Sequence, residues 1–351
     1  MKSIWRFSSG YTVKRVFITG GTGFIGKHLV SHLASGGITV RCLVRSGADT
    51  RLLDSLKAER VVGSLAEPAS YASSLEGCDS VIHLAGLTHA RSAKEMFRVN
   101  ASACGELADA CLAFGVRRLI YVSSLAAAGP SDPNGRPRME SDGESPISVY
   151  GSSKLLGEKE LRKRADSLDV TVLRPGFVYG SGDTKLIPLM ESICRWRLHV
   201  AIGFPDPLLS FIHVDDLVRL IVAAAGQGES LESNSHGSVS LGRGVYFACD
   251  DSEYVRYSDF GRRIARVAGS RVLAFNLPRP VGYCLGLISQ AVGILRGKPS
   301  ILNLDKVREA TAPAWICSAE KARRNLLFNP QRSLDDYLKD TVEDYIRLWN
   351  G

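Results

Sequence analysis

Three features of the sequence predict an α/β fold, a doubly wound parallel sheet followed by a smaller C-terminal lobe. Continuous Val, Ile and Leu runs alternate with helical patterns through the first half of the 351 residues. A glycine-rich turn separates the first of these runs from the first helical pattern. Beyond Pro175 the alternation stops, and Pro188, Pro205, Pro207, Pro278, Pro280, Pro299 and Pro313 punctuate shorter elements. Parallel strands covered by helices bury both faces, which is why they read as unbroken apolar runs.

In chain order the strand-like runs lie at 16–18, 39–44, 60–62, 80–84, 118–123 and 170–173. Helical patterns fall between them at 24–35, 50–57, 69–75, 93–114 and 149–167. Thr19-Gly20-Gly21-Thr22-Gly23-Phe24-Ile25-Gly26 joins the first strand to the first helix. Strand, glycine turn and helix in that order form the Rossmann dinucleotide-binding fingerprint. Gly20 takes the tight turn, Gly23 admits backbone N–H groups to a pyrophosphate, and Gly26 lets the helix lie close on its strand. The phosphates are expected at the positive end of the helix, beside Phe24 and Ile25. In such a sheet the ligand lies outside the carboxyl ends of the strands. Residues 14–175 are read as the dinucleotide-binding Rossmann domain. Residues 176–350 are read mostly as a substrate lobe, with some elements returning to the sheet. The stretch 226–244, rich in Ser, Gly and Glu, reads as an exposed loop, and a last amphipathic helix is expected from about 334 to 349.

Apolar content of 45% and charged content of 23% suit an ordinary globule, one large α/β domain or a domain with a smaller lobe. A net charge of +8 favours anionic ligands. The basic residues are scattered, so runs such as Arg162-Lys163-Arg164 read as solvated helix faces, and no nucleic-acid partner is expected. The eight cysteines are widely spaced and include no Cys-x-x-Cys pair. Reduced, buried thiols in a cytoplasmic protein are therefore expected, without a disulfide frame or a metal site. Lys2 and Arg6 precede no apolar stretch of the kind that makes a secretory signal. The longest apolar segment, 281–295, is too short to span a bilayer. It reads as packing on the core or a hydrophobic pocket, or as an amphipathic helix at a membrane surface.

Tyr150 and Lys154 stand four residues apart, on one face of a helix. A phenol of ordinary pKa about 10 is a poor acid or base at neutral pH, and an adjacent ammonium lowers it by stabilising the phenolate. The same ammonium can hydrogen-bond a cofactor ribose. The strand ending in Ser123-Ser124 delivers a hydroxyl to the same sheet edge, where it can hold a substrate oxygen. Together these groups make a proton-transfer site beside a hydride carrier.

Further motifs are Val81-Ile82-His83-Leu84-Ala85-Gly86, Val99-Asn100, Leu173-Arg174-Pro175-Gly176-Phe177-Val178-Tyr179-Gly180 and Phe211-Ile212-His213-Val214-Asp215-Asp216-Leu217. With them the chain resembles an extended short-chain dehydrogenase/reductase of the NAD-dependent epimerase/dehydratase family, over about residues 14–350. The resemblance implies Tyr150 as acid/base, Lys154 as ribose ligand and tuner of the phenol, and Ser124 as holder of the substrate oxygen. Ser123 is the neighbouring candidate should the register differ by one. Leu84, Ala85 and Gly86 are implied along the adenosine side of the cofactor, and the loop from Pro175 to Val178 at the nicotinamide. Ser64 and Leu65 fall where the family approaches adenine, with Ser64 in place of a common aspartate. His83 is read as packing, and Asp215 and Asp216 as helix-anchoring carboxylates. A homodimer through the helices at 93–114 and 149–167 is what the family suggests.

The second strand ends Val44-Arg45-Ser46, with no acid for a ribose 2′-OH. Arg45 resembles the arginine that holds the 2′-phosphate in dihydroflavonol-reductase-like members, and Arg51 could assist. NADP is therefore the expected cofactor, with NAD the alternative if Arg45 only stacks on adenine. A sugar-nucleotide 4,6-dehydratase needs an acidic pair where Leu125-Ala126 follows Ser124. A nucleotide-sugar epimerase often carries asparagine where Phe177 stands, leaving Arg195 and Arg197 for its phosphates. The nearest resemblance is to 3β-hydroxysteroid dehydrogenases and dihydroflavonol reductases. It is carried by the second strand, Leu277-Pro278-Arg279-Pro280, the apolar helix after it, Trp315 and Ser318-Ala319-Glu320-Lys321-Ala322. An apolar lobe favours a hydrophobic or amphiphilic small molecule. The expected function is an NAD(P)-dependent oxidoreductase interconverting a secondary alcohol and a ketone. A nucleotide-sugar epimerase is the first alternative. A non-catalytic dinucleotide-sensing protein is the second, and such proteins can lose the Tyr150–Lys154 pair that this chain keeps.

Overall fold

The computed structural model describes residues 13–132, 135–233, 241–295 and 303–350. Six strands alternate with helices as the apolar runs predict. They are β1 (Arg15–Thr19), β2 (Thr39–Val44), β3 (Glu59–Val62), β4 (Ser80–His83), β5 (Arg118–Val122) and β6 (Asp169–Pro175). The helices are α1 (Phe24–Ser35), α2 (Arg51–Ser55), α3 (Ala93–Phe97), α4 (Ala103–Ala113), α5 (Leu125–Ala128) and α6 (Val149–Arg162). All six strands are parallel, in the order β3-β2-β1-β4-β5-β6, and a later strand, Val245–Ala248, adds in parallel beyond β6. Val16 and Ile18 of β1 enter one core with Leu29 and Val30 of α1, whereas Phe17 enters the opposite core with Leu107 of α4. Successive strand side chains point to opposite faces, so a strand covered on both sides has no polar positions. This is a doubly wound Rossmann fold.

Strand order reverses between β1 and β4, and the loops leaving these two strands meet there. Gly20 has φ of 78°, and a Cβ on it would lie 2.8 Å from the Ala85 backbone nitrogen. Two predicted helices are formed differently. Residues 69–75 make two short 3-10 turns, Pro68–Ser70 and Ala72–Leu75. The Ser70 hydroxyl donates to the Glu67 carbonyl at 2.6 Å, a local bond that competes with a regular helix. Residues 93–114 are interrupted between α3 and α4 by a π-turn, Arg98–Ser102. The turn aims Asn100 at the backbone of Leu87, where it both accepts and donates at 2.8 Å.

Beyond β6 the chain makes β7 (Phe177–Tyr179), α7 (Ile187–Cys194), β8 (Leu198–Ile202), β9 (Leu208–His213) and α8 (Val214–Gln227). Then follow β10 (Val245–Ala248), β11 (Asp250–Arg256), α9 (Tyr257–Val267), β12 (Leu273–Leu277), α10 (Arg279–Leu295) and α11 (Leu304–Thr311). The last elements are β13 (Ala314–Trp315), α12 (Glu320–Leu326) and α13 (Leu334–Asn350). A small sheet centred on β9 joins β7, β11 and β13. It shares a separate core of Tyr179, Met190, Phe211, Phe260 and Leu338 with α7, α9 and α13. β8 and β12 pair as a two-stranded parallel ribbon. α8, β10 and α12 contribute to the core of the main sheet. The 226–244 stretch is only partly an exposed loop. Its first residues finish α8, and Leu231 is buried with its N–H on the Val170 carbonyl at 2.8 Å. Residues 234–240 of that stretch, and Lys2 and Arg6, lie outside the described residues.

Candidate active site

The α6 helix begins under two caps. Ser148 accepts from Gly151 N at 2.9 Å, and Asp305 of α11 accepts from Val149 N at 2.8 Å and Tyr150 N at 3.3 Å. Two glycines let α6 approach its neighbours. A Cβ on Gly151 would lie 2.3 Å from the Ala126 carbonyl oxygen, and one on Gly157 would lie 2.3 Å from that of Asn100. Tyr150 is thereby brought to Ser124, whose hydroxyl caps α5 through Ala126 N at 3.1 Å and hydrogen-bonds the Tyr150 phenol. Ser123 is turned inward, donating to buried Glu158 at 2.5 Å. Glu158 in turn is held by buried Arg174, at 3.0 Å through Nε and 2.5 Å through Nη2. Of the two serines, Ser124 is the one that meets the phenol.

Lys154 is buried, with its ammonium donating to the Val122 carbonyl at 2.8 Å and lying 4.2 Å from the centre of the Tyr121 ring. Burial pushes that ammonium down to about 8, opposed by Cys104 and Glu158. Burial pushes the Tyr150 phenol up to about 12, opposed by its hydrogen bond to Ser124. This differs from the sequence expectation that Lys154 lowers the phenol. The ammonium is spent on a backbone carbonyl, and desolvation dominates at the tyrosine. Tyr150 is therefore protonated at neutral pH. The cation facing its ring is Lys306 of α11, 5.1 Å away and paired with Glu309 at 2.6 Å.

At the N-terminus of α1 the capping residue is Gly23, which has no side chain to occupy the end, and the first turn carries no acid. A Cβ on Gly26 would lie 2.1 Å from the Gly20 carbonyl oxygen, so only glycine permits that packing. The positive helix end is left open for a pyrophosphate. Phe24 stands edge-on to His28 at 5.6 Å, and Ile25 packs on the core. Gly86 lies close to Lys154, since a Cβ there would be 3.7 Å from the ammonium and 3.1 Å from Asn100 Oδ1. Leu84 and Ala85 are partly buried, and Ala85 N donates to Thr19 Oγ1 at 3.2 Å. Ser64 follows β3 and donates its N–H to Ser70 Oγ at 3.0 Å, while Leu65 is buried. Pro175 ends β6, and Val178 packs on the main core. Arg45 is exposed just past the end of β2, whereas Arg51 is engaged by Asp49 at 2.7 Å.

His83 is buried between Thr19 Oγ1 at 2.6 Å and Cys104 Sγ at 3.4 Å, and burial pushes it down to about 3. It is a neutral packing residue. Asp215 and Asp216 open α8 and tie it to other helices, Asp215 to His28 at 2.9 Å and Asp216 to the Tyr337 hydroxyl at 3.1 Å. Asn100, Asp305, Lys306 and Glu309 were not singled out as site residues from the sequence. Asn100 lies in a quoted motif without an assigned role, and the α11 residues carry no local signal, since they arrive by tertiary packing.

Residues 16–240 match the NAD dependent epimerase/dehydratase family, and the chain belongs to it. It is 31% identical over 307 residues to the ceramide reductase of Caulobacter vibrioides, covering 87% of this chain and 86% of that protein. It is 25% identical over 348 residues to the decarboxylating sterol-4-alpha-carboxylate 3-dehydrogenase of Homo sapiens, covering 95% and 89%. Its fold superposes on the UDP-glucose 4-epimerase of Thermotoga maritima, solved with UDP-glucose, with a TM-score of 0.76. That match covers 96% of this chain and 100% of the other at 23% identity, so it shows a shared fold. The chain is an NAD(P)-dependent enzyme of the extended short-chain dehydrogenase/reductase type.

Two outcomes test this site. At Gly23 an added Cβ would meet one neighbour among the described residues, the Gly20 carbonyl oxygen at 3.2 Å, so Gly23→Val can be accommodated by the fold. It should abolish cofactor binding in calorimetry while the thermal midpoint stays near that of the parent, whereas Gly26→Val should lower the midpoint itself. The second is a pH profile. Lys154 is charged below about 8 and neutral above it, so kcat/KM for the cofactor should fall as pH rises through about 8. A profile still flat at about pH 10, the unperturbed lysine range, would remove Lys154 from cofactor binding.

Proposed function

We propose that this family member interconverts a secondary alcohol and a ketone on a hydrophobic or amphiphilic small molecule, with NADP(H) preferred to NAD(H). The observation that carries the reading is the Ser124–Tyr150 hydrogen bond, with the phenol held protonated by burial. Both hydroxyls can point at one carbonyl oxygen, Ser124 to position it and Tyr150 to give it a proton as the alkoxide forms. A bound nicotinamide supplies or accepts the hydride. In this reading Lys154 holds the ribose, supported by its ammonium lying beside Gly86.

The substrate class is supported by Phe177. Its ring packs on Phe211 at 5.3 Å and Phe260 at 6.0 Å, where a diphosphate-binding asparagine would stand in an epimerase. Arg195 is paired with Glu191 and lines a cleft with Ala268 and Trp349. The names of two relatives give a ceramide and a sterol carboxylate as substrates, both largely apolar. The NADP preference is supported by Arg45, which is exposed at the end of β2 and meets no carboxylate among the described residues.

With a hydrophobic ketone the protein should consume NADPH steadily. Tyr150→Phe should lower kcat by roughly 10²–10⁴-fold with cofactor affinity kept. Saturable UDP-glucose binding with inversion at C4 and no net cofactor turnover would replace the oxidoreductase with an epimerase. Arg45→Ala should weaken NADPH by about 1.5–3 kcal/mol and leave NADH nearly unchanged. Equal losses would mean that Arg45 only stacks on adenine.

A further inference from the structure

The lobe carries a face built inside out. In the β8–β12 ribbon Leu198 pairs with Leu273, and Val200 with Phe275. All four are exposed, Leu273 by 64%, while the alternate residues His199 and Ala201 are buried. A sheet with one buried face ordinarily puts polar residues on the other. α10 is inverted in the same way. Gly282 and Gly286, one turn apart, are its buried positions, where a Cβ would lie 2.5 Å from Ile202 and 2.8 Å from Val307. Val281, Leu285, Ile288 and Val292 recur at helical spacing, turned away from the two glycines, and are exposed, Ile288 by 62%. Trp196, 63% exposed, stands just ahead of β8. Exposed Arg195, Arg197, Arg271 and Arg279 stand at the ends of these same elements. Among the described residues only Arg195 of the four meets a carboxylate, Glu191 at 3.4 Å.

A contiguous apolar surface rimmed by charge marks a binding face. We propose that this face seats the protein on an anionic lipid bilayer. The side chains of the ribbon and α10 enter the boundary between headgroups and acyl chains, Trp196 lies at the interface, and the arginines meet lipid phosphates. No helix among the described residues is long and apolar enough to cross a membrane, so the segment lies on the surface. Charge favours lipid over a second copy. A two-fold contact sets a face against itself and would gather the arginines of both copies, of which only Arg195 meets a carboxylate among the described residues. The face is also continuous with the reaction site. α10 packs on α11, whose Asp305 caps α6 and whose Lys306 faces Tyr150. The docking does not rest on the redox reading, and it is measured without substrate.

The full-length protein is sedimented with vesicles of phosphatidylcholine containing phosphatidylglycerol, and with phosphatidylcholine alone. Binding should require the anionic lipid and weaken with salt. The double variant Leu285→Glu with Ile288→Glu should bind about tenfold less or weaker still. Arg197→Glu with Arg271→Glu should lose binding to the anionic vesicles. Lipids brominated in their chains should quench fluorescence that disappears in Trp196→Phe. Retained NADPH binding shows that each variant is folded. Absent vesicle binding, or binding unchanged by both double variants, overturns the proposal. So does a dimer in sedimentation velocity that the Leu285→Glu, Ile288→Glu variant dissociates without any binding to vesicles, which assigns the face to a second copy.

Discussion

The buried ion pair between Arg174 and Glu158 sets the geometry on which the site depends. Arg174 is 1% exposed, and it joins the end of β6 to the middle of α6. Charges that deep hold their place only when fully partnered, and removing one would leave the other uncompensated. Glu158 completes its bonding with the hydroxyl of Ser123. That bond turns Ser123 into the protein and leaves the next hydroxyl, Ser124, at the sheet edge. Seating α6 against β5 and β6 also sets where Tyr150 and Lys154 fall, two turns and one turn ahead of Glu158 respectively. A structural ion pair thus selects the serine that meets the phenol.

Burial then decides the charge states. Both Tyr150 and Lys154 are displaced toward their neutral forms, the phenol upward and the ammonium downward. The same desolvation makes His83 neutral. A motif describes which groups are adjacent, but its electrostatics follow from what surrounds them. Here α11 crosses above the tyrosine and brings Lys306 with its own counter-ion Glu309. The lobe therefore shapes the acid as well as the pocket. The fold shared with a UDP-glucose epimerase underlines this, because a common sheet leaves the chemistry to the side chains set on it.

The two parts of the chain solve the burial of apolar surface differently. The Rossmann sheet covers its central strands on both faces, and its edge strand β3 leaves Arg60 and Val62 exposed. α10 uses small residues inward, at Gly282 and Gly286, and both it and the ribbon turn their large apolar residues out. Such an arrangement places hydrophobic side chains where the protein has no core to receive them.

The strand–helix alternation, the glycine turn and the Ser124, Tyr150 and Lys154 positions were legible in the sequence. Each rests on short-range physics: a doubly covered strand must be apolar, a turn at φ of 78° needs glycine, and residues four apart share a helix face. The two 3-10 turns at 68–75 and the π-turn at Asn100 were not legible, because a side-chain bond from Ser70 and the anchoring of Leu87 override the helical pattern there. Nor were the Arg174–Glu158 pair, the cap from Asp305 or the raised phenol of Tyr150. Asp305 meets Tyr150 across 155 residues of chain, and desolvation depends on every element packed around a group. Local periodicity encodes which face of an element is apolar. Only the folded packing decides which distant charge it meets and how much water is left beside it.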